Sequence, residues 1–293
     1  MASPEEPWTV GRLLSWTKDY FERQGVENPR LEAEVLLAAA RGCKRIELYV
    51  AFDEQPPEPT RAAFRELVRR RAAGTPVAYL VGHREFYSLD FEVTPDVLIP
   101  RPETELLVVA LLDAIKKTGH GACIEIADVG TGSGILAICA AKYVPVAQVT
   151  AIDISPAALA IARRNAKRHS VTERITFIES NLFANVPSDA RFDYIVSNPP
   201  YVSTAEMADL PADVRDHEPH VALEAGEQGT TVIAPLIQQA AERLKPGGYL
   251  FIEISPMIAE RVEQLVIASD AFALRPTIRD LAGHARIVQG KHR

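Results

Sequence analysis

The spacing of apolar positions changes character twice along the chain. Over residues 8–80 it is helical: Val10, Leu13, Leu14 and Thr17 fall on one face, as do Leu31, Val35, Leu36 and Ala39. Asn28-Pro29 marks a helix start, with the asparagine as cap and the proline in the first turn. Residues 53–59 form a proline-rich loop, and a further helix runs from about Thr60 to Ala73 before stopping at Gly74-Thr75-Pro76. Residues 77–98 lose the helical period. Phe86 to Val93 has strand-like content with a turn near Ser88–Asp90, which predicts a β-hairpin. From residue 122 onward, short apolar runs alternate with amphipathic stretches. Strands are expected over 123–129, 148–153, 175–179, 192–197 and 249–254, with helices near 133–143, 155–169 and 230–244. A last helix near 256–269 precedes two more short strands at 272–278 and 285–289. Alternation of this kind gives an α/β fold with a parallel sheet and helices on both faces. The predicted organisation is a helical domain over 1–76, a hairpin linker over 77–98 and an α/β domain over 99–293.

Composition fits this two-domain picture and narrows the partners. The chain has 293 residues, 47% hydrophobic and 24% charged, which describes an ordinary globular protein with room for a sizeable core. No apolar run reaches the roughly 20 residues of a membrane span, and the acidic start, Met1 to Glu6, has no signal-peptide core. Cys43, Cys123 and Cys139 form no close-spaced pair, which argues against a disulfide scaffold or a zinc site and for a reduced, cytoplasmic compartment. The net charge of -7 lies entirely beyond residue 80, because residues 1–80 carry 12 Lys+Arg against 12 Asp+Glu. An acidic main domain is a poor match for non-specific binding to nucleic acid. Arg61, Arg65, Arg69, Arg70 and Arg71 form one basic run on a predicted helix, read as a solvated face or a docking patch.

The chemistry collects at the carboxyl ends of the predicted strands, where open α/β sheets bind ligands. Asp128-Val129-Gly130-Thr131-Gly132-Ser133-Gly134 closes the first sheet strand and opens a helix. Its alternate glycines allow a tight turn and a close ligand approach. The spacing is G-x-G-x-G rather than the G-x-G-x-x-G of dinucleotide sites. It suits the amino-acid end of S-adenosylmethionine better than a pyrophosphate. Asp153 ends the next strand, where a carboxylate can accept from both ribose hydroxyls or, more plainly, cap the helix that follows. Asn181, with Leu182 or Phe183, stands where an adenine would lie. Finally, Asn198-Pro199-Pro200-Tyr201 follows a buried strand. Two consecutive prolines fix φ and hold the preceding residues extended, so the loop is stiff. It presents one amide side chain, backbone carbonyls and an aromatic ring, the parts needed to hold a planar amide or amino group. The same four residues would also make a simple turn.

A glycine-loop sheet carrying Asn198-Pro199-Pro200-Tyr201 resembles the amino-methyltransferases, which act on planar nitrogens of adenine, cytosine or glutamine. Further runs narrow the resemblance to the release factor glutamine methyltransferases. These are Leu98-Ile99-Pro100-Arg101-Pro102-Glu103-Thr104-Glu105, Asp128 to Gly134, Glu218-Pro219-His220-Val221-Ala222-Leu223 and Asp280-Leu281-Ala282-Gly283. The chain departs from that family's pattern at Asn181-Leu182, at Ser255-Pro256-Met257 and in the Glu224–Gly229 run.

The resemblance implies a class I, Rossmann-like methyltransferase sheet of seven strands behind an N-terminal helical bundle that recognises the release factor. It also implies methyl transfer from S-adenosylmethionine to N5 of the glutamine in the Gly-Gly-Gln loop of peptide chain release factors, leaving S-adenosylhomocysteine. In that scheme Gly130, Thr131, Gly132, Ser133, Gly134, Asp153, Asn181, Leu182 and Asn198 hold the cofactor. Asn198, Pro199, Pro200 and Tyr201 hold the glutamine, with Asn198, Pro199 and Tyr201 as the catalytic set. The partner is a protein. No metal, membrane or direct nucleic-acid contact is expected, and the chain is expected to act as a monomer in the cytoplasm. Two other readings remain open: a DNA or RNA adenine-N6 methyltransferase working on a flipped base, and a non-catalytic module that only binds the cofactor.

Overall fold

The computed structural model describes residues 7–119 and 123–293; the acidic start, Met1 to Glu6, lies outside them. The chain forms two compact units. One comprises the residues up to Gly82 together with Ala212–His217, and the other comprises His83–Pro211 and Glu218–Arg293.

The first unit is helical, with α1 (Val10–Arg23), α2 (Pro29–Arg41), α3 (Arg45–Val50), α4 (Glu58–Ala72) and α5 (Val77–Val81). The α1 face read from the sequence, Val10, Leu13, Leu14 and Thr17, is buried, whereas α2 turns a neighbouring face inward: Leu36 is buried with Ala33, Leu37 and Ala38, while Leu31 and Ala39 are exposed. These meet Phe21, Leu48 and Phe64 in the core of the unit. Asn28 is the N-cap residue of α2 and Pro29 follows in the first turn, but the Asn28 side chain makes no capping bond. The basic run on α4 is largely neutralised within the unit. Arg61 and Arg65 pair with Glu58, and Arg69 pairs with Glu66. Arg71 is buried against Glu32 at 2.6 Å and lies 3.7 Å from Asp213.

The second unit opens with the hairpin, β1 (His83–Phe86) and β2 (Leu89–Glu92). Its turn is Tyr87-Ser88, both at positive φ, the backbone of a two-residue turn that matches strand twist. The hairpin therefore turns slightly earlier than the sequence indicates. It clusters with the sheet rather than standing as a separate linker, because Phe86 and Phe91 are buried in the core of that unit. Residues 77–81, expected in the linker, are the helical turn α5 of the first unit.

The rest follows the predicted alternation: α6 (Glu105–Thr118), β3 (Ile124–Val129), α7 (Ile135–Tyr143), β4 (Ala147–Asp153), α8 (Pro156–Arg168), β5 (Ile175–Glu179), β6 (Phe192–Ser197), α9 (Ala212–His217), α10 (Ile233–Arg243), β7 (Leu244–Glu253), α11 (Ala259–Ala268), β8 (Phe272–Arg279) and β9 (Ala285–His292). The sheet has seven strands in the order β5-β4-β3-β6-β7-β9-β8. It is parallel from β5 to β7, while β9 is antiparallel to both β7 and β8. β7 begins earlier than the apolar run that signalled it. Lys245-Pro246-Gly247-Gly248 enters the strand through an irregular register against β6, and a Cβ on Gly248 would come within 2.8 Å of the Asp193 carbonyl oxygen.

The strand order carries the functional consequence. The chain enters at β3, winds outward through β4 and β5, then returns to β6 on the other side of β3. β3 and β6 thus flank the switch point of the sheet, the crevice where such folds bind ligands. Val129 and Ser197, their last residues, are in register, and the Ser197 hydroxyl donates to the Val129 carbonyl at 2.6 Å. The glycine loop after β3 and the proline corner after β6 therefore leave the sheet side by side.

Candidate active site

One cavity in the sheet unit lies over this switch point. It is lined by Gly130 to Ser133, Asp153, Ser180 to Leu182, Asn198 to Pro200 and the stretch around Pro100, Arg101 and Thr104. The glycine loop and Asn198, whose runs lie some 65 residues apart in the sequence, thus share one wall.

The loop owes its shape to glycine. Gly130, Gly132 and Gly134 all have positive φ. A Cβ on Gly132 would meet nothing within 4 Å, so its absence leaves open space in the cavity. A Cβ on Gly134 would lie 3.0 Å from Ile138 Cδ1 and 3.1 Å from Ala162 Cβ, so this glycine lets α7 pack closely on α8. Asp128, buried at the end of β3, clamps the loop from below. Its Oδ2 accepts from the Thr131 hydroxyl at 2.7 Å and from the Ala137 N–H at 3.0 Å.

Asp128 Oδ1 has no partner among the described residues, and burial pushes this carboxyl up to about 7 despite the two bonds. A raised folded-state pKa contributes stability that is present below the unfolded value and lost as pH rises through the folded one. Asp128→Asn, which keeps the shape without the charge, should therefore gain thermal stability over the parent protein as pH rises from about 5 to about 8. Melting temperatures of the two at both pH values check this; a gap that does not widen with pH contradicts it.

Asp153 ends β4 and lines the cavity. Its Oδ2 accepts from the Gly132 N–H at 2.8 Å and its Oδ1 from the Ser155 N–H at 2.9 Å. Burial raises its pKa, opposed by the bonds from Ser155 and Gly132. The cap of α8 is Ser155, whose hydroxyl accepts from Ala158, so Asp153 is not spent on capping. A carboxylate has about four acceptor positions, so two remain for ligand hydroxyls. Asn181 is exposed and Leu182, at φ 50, is half-buried; both line the cavity. Phe183 does not. It is buried beside Phe192 and its N–H donates to Gln239, so its ring does not face the cavity.

This donor set discriminates between cofactors. The amides of Gly130, Thr131, Gly132 and Gly134 are all bonded within the protein, to Ile152, Asp153 and Thr131. A pyrophosphate needs such amides free. A cationic nucleoside needs carbonyls, a carboxylate and space without side chains. The residues present therefore fit S-adenosylmethionine.

At the proline corner, Asn198 is half-buried and its Nδ2 donates to Thr104 Oγ1 at 3.2 Å. Among the described residues, neither the Asn198 side-chain oxygen nor the Pro199 carbonyl accepts a hydrogen bond. Tyr201 is not on the cavity wall. It backs the corner, packed against apolar residues of the sheet unit beside Glu253, and burial pushes its phenol up to about 12, so it stays a neutral hydroxyl. The chain after Tyr201 is pinned by Val202, which exchanges backbone bonds with Leu223 and Ala225. Gly229 allows this, since a Cβ there would sit 2.6 Å from the Tyr201 carbonyl oxygen.

The residues that sequence reasoning left without a role are those that hold this corner. Glu218 is buried and accepts from the Ile99 N–H at 3.1 Å and from Arg101 at 2.5 Å. Glu105 accepts from the Tyr87 N–H at 2.9 Å, tying the hairpin turn to α6. Arg286 pairs with Asp280 at 2.8 Å and approaches Glu103 at 3.9 Å. The only signal of Arg101, Glu103, Glu105, Glu218 and Asp280 in the sequence is membership of the Pro-Arg-Pro-Glu-Thr-Glu, Glu218-Pro219 and Asp280 runs, and Arg286 carries none. Glu218→Ala would strand the Arg101 guanidinium and an amide. With Arg101 partly exposed, the expected loss is about 2–4 kcal/mol in urea denaturation. A loss under about 0.5 kcal/mol, the range of an ordinary surface change, would remove this role.

Among the described residues, no group of three or more His, Cys, Asp and Glu is placed to hold a metal ion, and no helix is long and apolar enough to cross a membrane.

The fold and site can be set against known proteins. Residues 12–82 match the PrmC N-terminal domain and residues 104–212 the methyltransferase small domain. A protein of Rhodopirellula baltica named release factor glutamine methyltransferase is 50% identical over 287 residues, 98% of this chain and 97% of that one. One of the same name from Geobacter sulfurreducens is 43% identical over 99% of both chains. Among solved structures, a Thermus thermophilus 16S rRNA methyltransferase in complex with AdoMet and guanosine is similar in fold, with a TM-score of 0.54 at 21% identity. The match covers 72% of this chain and 50% of that one.

Proposed function

The chain belongs to the release factor glutamine methyltransferases, and we propose that Asn198 and Pro199 grip the carboxamide of the glutamine it methylates. That glutamine is the one in the Gly-Gly-Gln loop of a peptide chain release factor, and the methyl group goes to N5. The observation that carries this assignment is the pair of acceptors, Asn198 Oδ1 and the Pro199 carbonyl, left without protein donors on a corner whose φ angles are fixed by two prolines. S-adenosylmethionine, when bound, supplies a sulfonium methyl group that needs no further activation, and S-adenosylhomocysteine is the product.

The chain's task lies on the acceptor side. An amide nitrogen is a weak nucleophile because its lone pair is delocalised into the carbonyl. Two acceptors held at a fixed separation, one for each N–H, orient the nitrogen and favour its pyramidal, more basic form. Positioning of this kind contributes up to about 7–11 kcal/mol at its best. No general base is needed before transfer, because the proton can leave afterwards. The titratable residues on the cavity wall are Asp96, Arg101 and Asp153, so neither His217 nor His220 is placed for that role. Asp153 takes the ribose hydroxyls, Asn181 and Leu182 border the adenine, and the glycine loop, from Gly130 to Gly134, takes the amino-acid end. Pro200 keeps the corner extended, and Tyr201 packs behind the amide subsite. The helical unit recognises the release factor away from the Gly-Gly-Gln loop. The chain acts as a monomer in the cytoplasm on a protein substrate, without a metal and without direct contact to nucleic acid.

Incubation of the purified protein with labelled cofactor tests this, with a release factor in one arm and DNA or RNA in the other. One methyl group on the Gly-Gly-Gln glutamine, located by mass spectrometry, is the expected result. Label on an adenine, or on no acceptor at all, would overturn it.

A further inference from the structure

Two runs singled out in the sequence contain residues with no part in the chemistry above: Ser255-Pro256-Met257 and Asp280-Leu281-Ala282-Gly283. Each places a large apolar side chain in solvent. Among the described residues of the sheet unit, the three most exposed large apolar side chains are Leu281, which is wholly exposed, Met257 at 80% and Val221 at 58%. Single exposed apolar residues are ordinary on a protein surface. These three are not scattered.

Val221 lies in the helical turn His220–Ala222 and lines the cavity together with Asn198, Pro199 and Pro200. Met257 lies in the turn that follows β7, and its neighbour Ile258 meets the same glycine as the proline corner. A Cβ on Gly229 would lie 3.3 Å from Ile258 Cγ2 and 2.6 Å from the Tyr201 carbonyl oxygen. Leu281 lies in the turn between β8 and β9. That turn is at the carboxyl end of β7, since Glu253 pairs with Ile287 near the start of β9. Arg286 ties it to the corner: it pairs with Asp280 at 2.8 Å and approaches Glu103 at 3.9 Å, next to Thr104, which accepts from Asn198 at 3.2 Å. The three turns thus border the corner that holds the amide subsite.

None of these turns needs its apolar side chain for its own shape. Asp280 Oδ1 accepts from the Ala282 and His284 N–H groups, both at 2.9 Å, and Arg279 donates to the Gly283 carbonyl at 2.8 Å. The Ser255 hydroxyl accepts from the Met257 N–H at 3.2 Å, and the Pro219 carbonyl from the Ala222 N–H at 2.9 Å. A polar side chain would serve each turn as well and would expose less apolar surface to water. Apolar groups gathered beside a binding subsite mark where a partner lands. The cations nearby are engaged, Arg286 by Asp280 and Arg101 by Glu218, so a phosphate backbone gains little here. A protein loop gains burial.

We infer that Val221, Met257 and Leu281 form an apolar collar that receives the flanks of the substrate loop and selects a protein acceptor; this rests on the function proposed above. The two glycines of the Gly-Gly-Gln loop carry no side chains, so the collar meets apolar residues outside that triplet. Met257 and Leu281 do not line the cavity, so they act on binding of the protein and not on methyl transfer.

Leu281→Ser and Met257→Ser, made singly and together in the full chain, test this. Each should raise KM for a release factor about tenfold, and the pair about a hundredfold, from the lost burial of one apolar side chain at each site. The kcat, cofactor affinity and melting temperature should stay with the parent protein. Leu281→Met and Met257→Leu keep the apolar surface and should keep the parent KM. Ile267→Ser, the same kind of change at an exposed position on α11, should leave KM unaltered. Calorimetric binding of the release factor in the presence of S-adenosylhomocysteine should weaken by the same factors without turnover. A paired variant whose KM and affinity lie within about twofold of the parent's, the range of an ordinary surface change, overturns the inference. So does a fall in kcat with KM unchanged. If the parent protein binds a release factor and the pair weakens that binding, yet no methyl group is transferred, the proposed function fails and the collar stands.

Discussion

Asn198→Ala is expected to lower kcat by roughly 10–100-fold or more while cofactor affinity stays close to that of the parent protein. The reason is where the lost bond acts. A resting amide is nearly planar and its N–H groups are adequately solvated by water. As the nitrogen pyramidalises toward the methyl group its N–H bonds become more acidic, and an acceptor fixed in advance gains most at that stage. Truncation also leaves Thr104 Oγ1 without the Nδ2 donor it now has at 3.2 Å. The cofactor contacts proposed for the glycine loop and Asp153 are left in place by this substitution. Steady-state kinetics with a release factor, together with calorimetric titration of the cofactor, separate the two effects. Turnover near that of the parent would remove the role assigned to this side chain.

Asp153→Ala should act on the other substrate, weakening cofactor binding by about 100-fold or more. Two ribose hydroxyls donating to one carboxylate are worth about 1.5–3 kcal/mol each, and every 1.4 kcal/mol is a factor of about ten. The substitution also frees the Gly132 N–H, which Asp153 now holds at 2.8 Å, so the loop loses a tether along with the ligand contact. Asp153→Asn keeps a partial acceptor and should fall between. At saturating cofactor, kcat should change far less than the dissociation constant. Calorimetry that finds the affinity unaltered would argue against the ribose contact.

Much of this architecture was legible in the chain because it is written in short-range pattern. The strands of the sheet announce themselves as apolar runs closed by turn residues, and both functional loops sit at their carboxyl ends. The switch point follows from strand order, which brings Gly130 and Asn198 together without any local signal of their proximity. What was not legible is long-range. Thr104 meets Asn198 across 94 residues and Arg101 meets Glu218 across 117. No period or spacing encodes such pairs; only the assembled sheet does. Local chemistry also misled in places. Tyr87 and Ser88 take positive φ where glycine or asparagine would be expected, which displaced the hairpin turn. Phe183 reads as a ring available to a nucleobase, yet burial against Phe192 is the stronger pull. Residues 212–217 group with the helical unit although they lie deep in the second half of the chain, a tertiary fact with no sequence mark.

The most direct test is a crystal structure of the protein with S-adenosylhomocysteine and a release factor or its Gly-Gly-Gln loop. The glutamine nitrogen should lie about 3 Å from both Asn198 Oδ1 and the Pro199 carbonyl oxygen, in line with the position of the transferred methyl group. A glutamine nitrogen bonded elsewhere, or an Asn198 side chain turned away from the sulfur, would contradict the account.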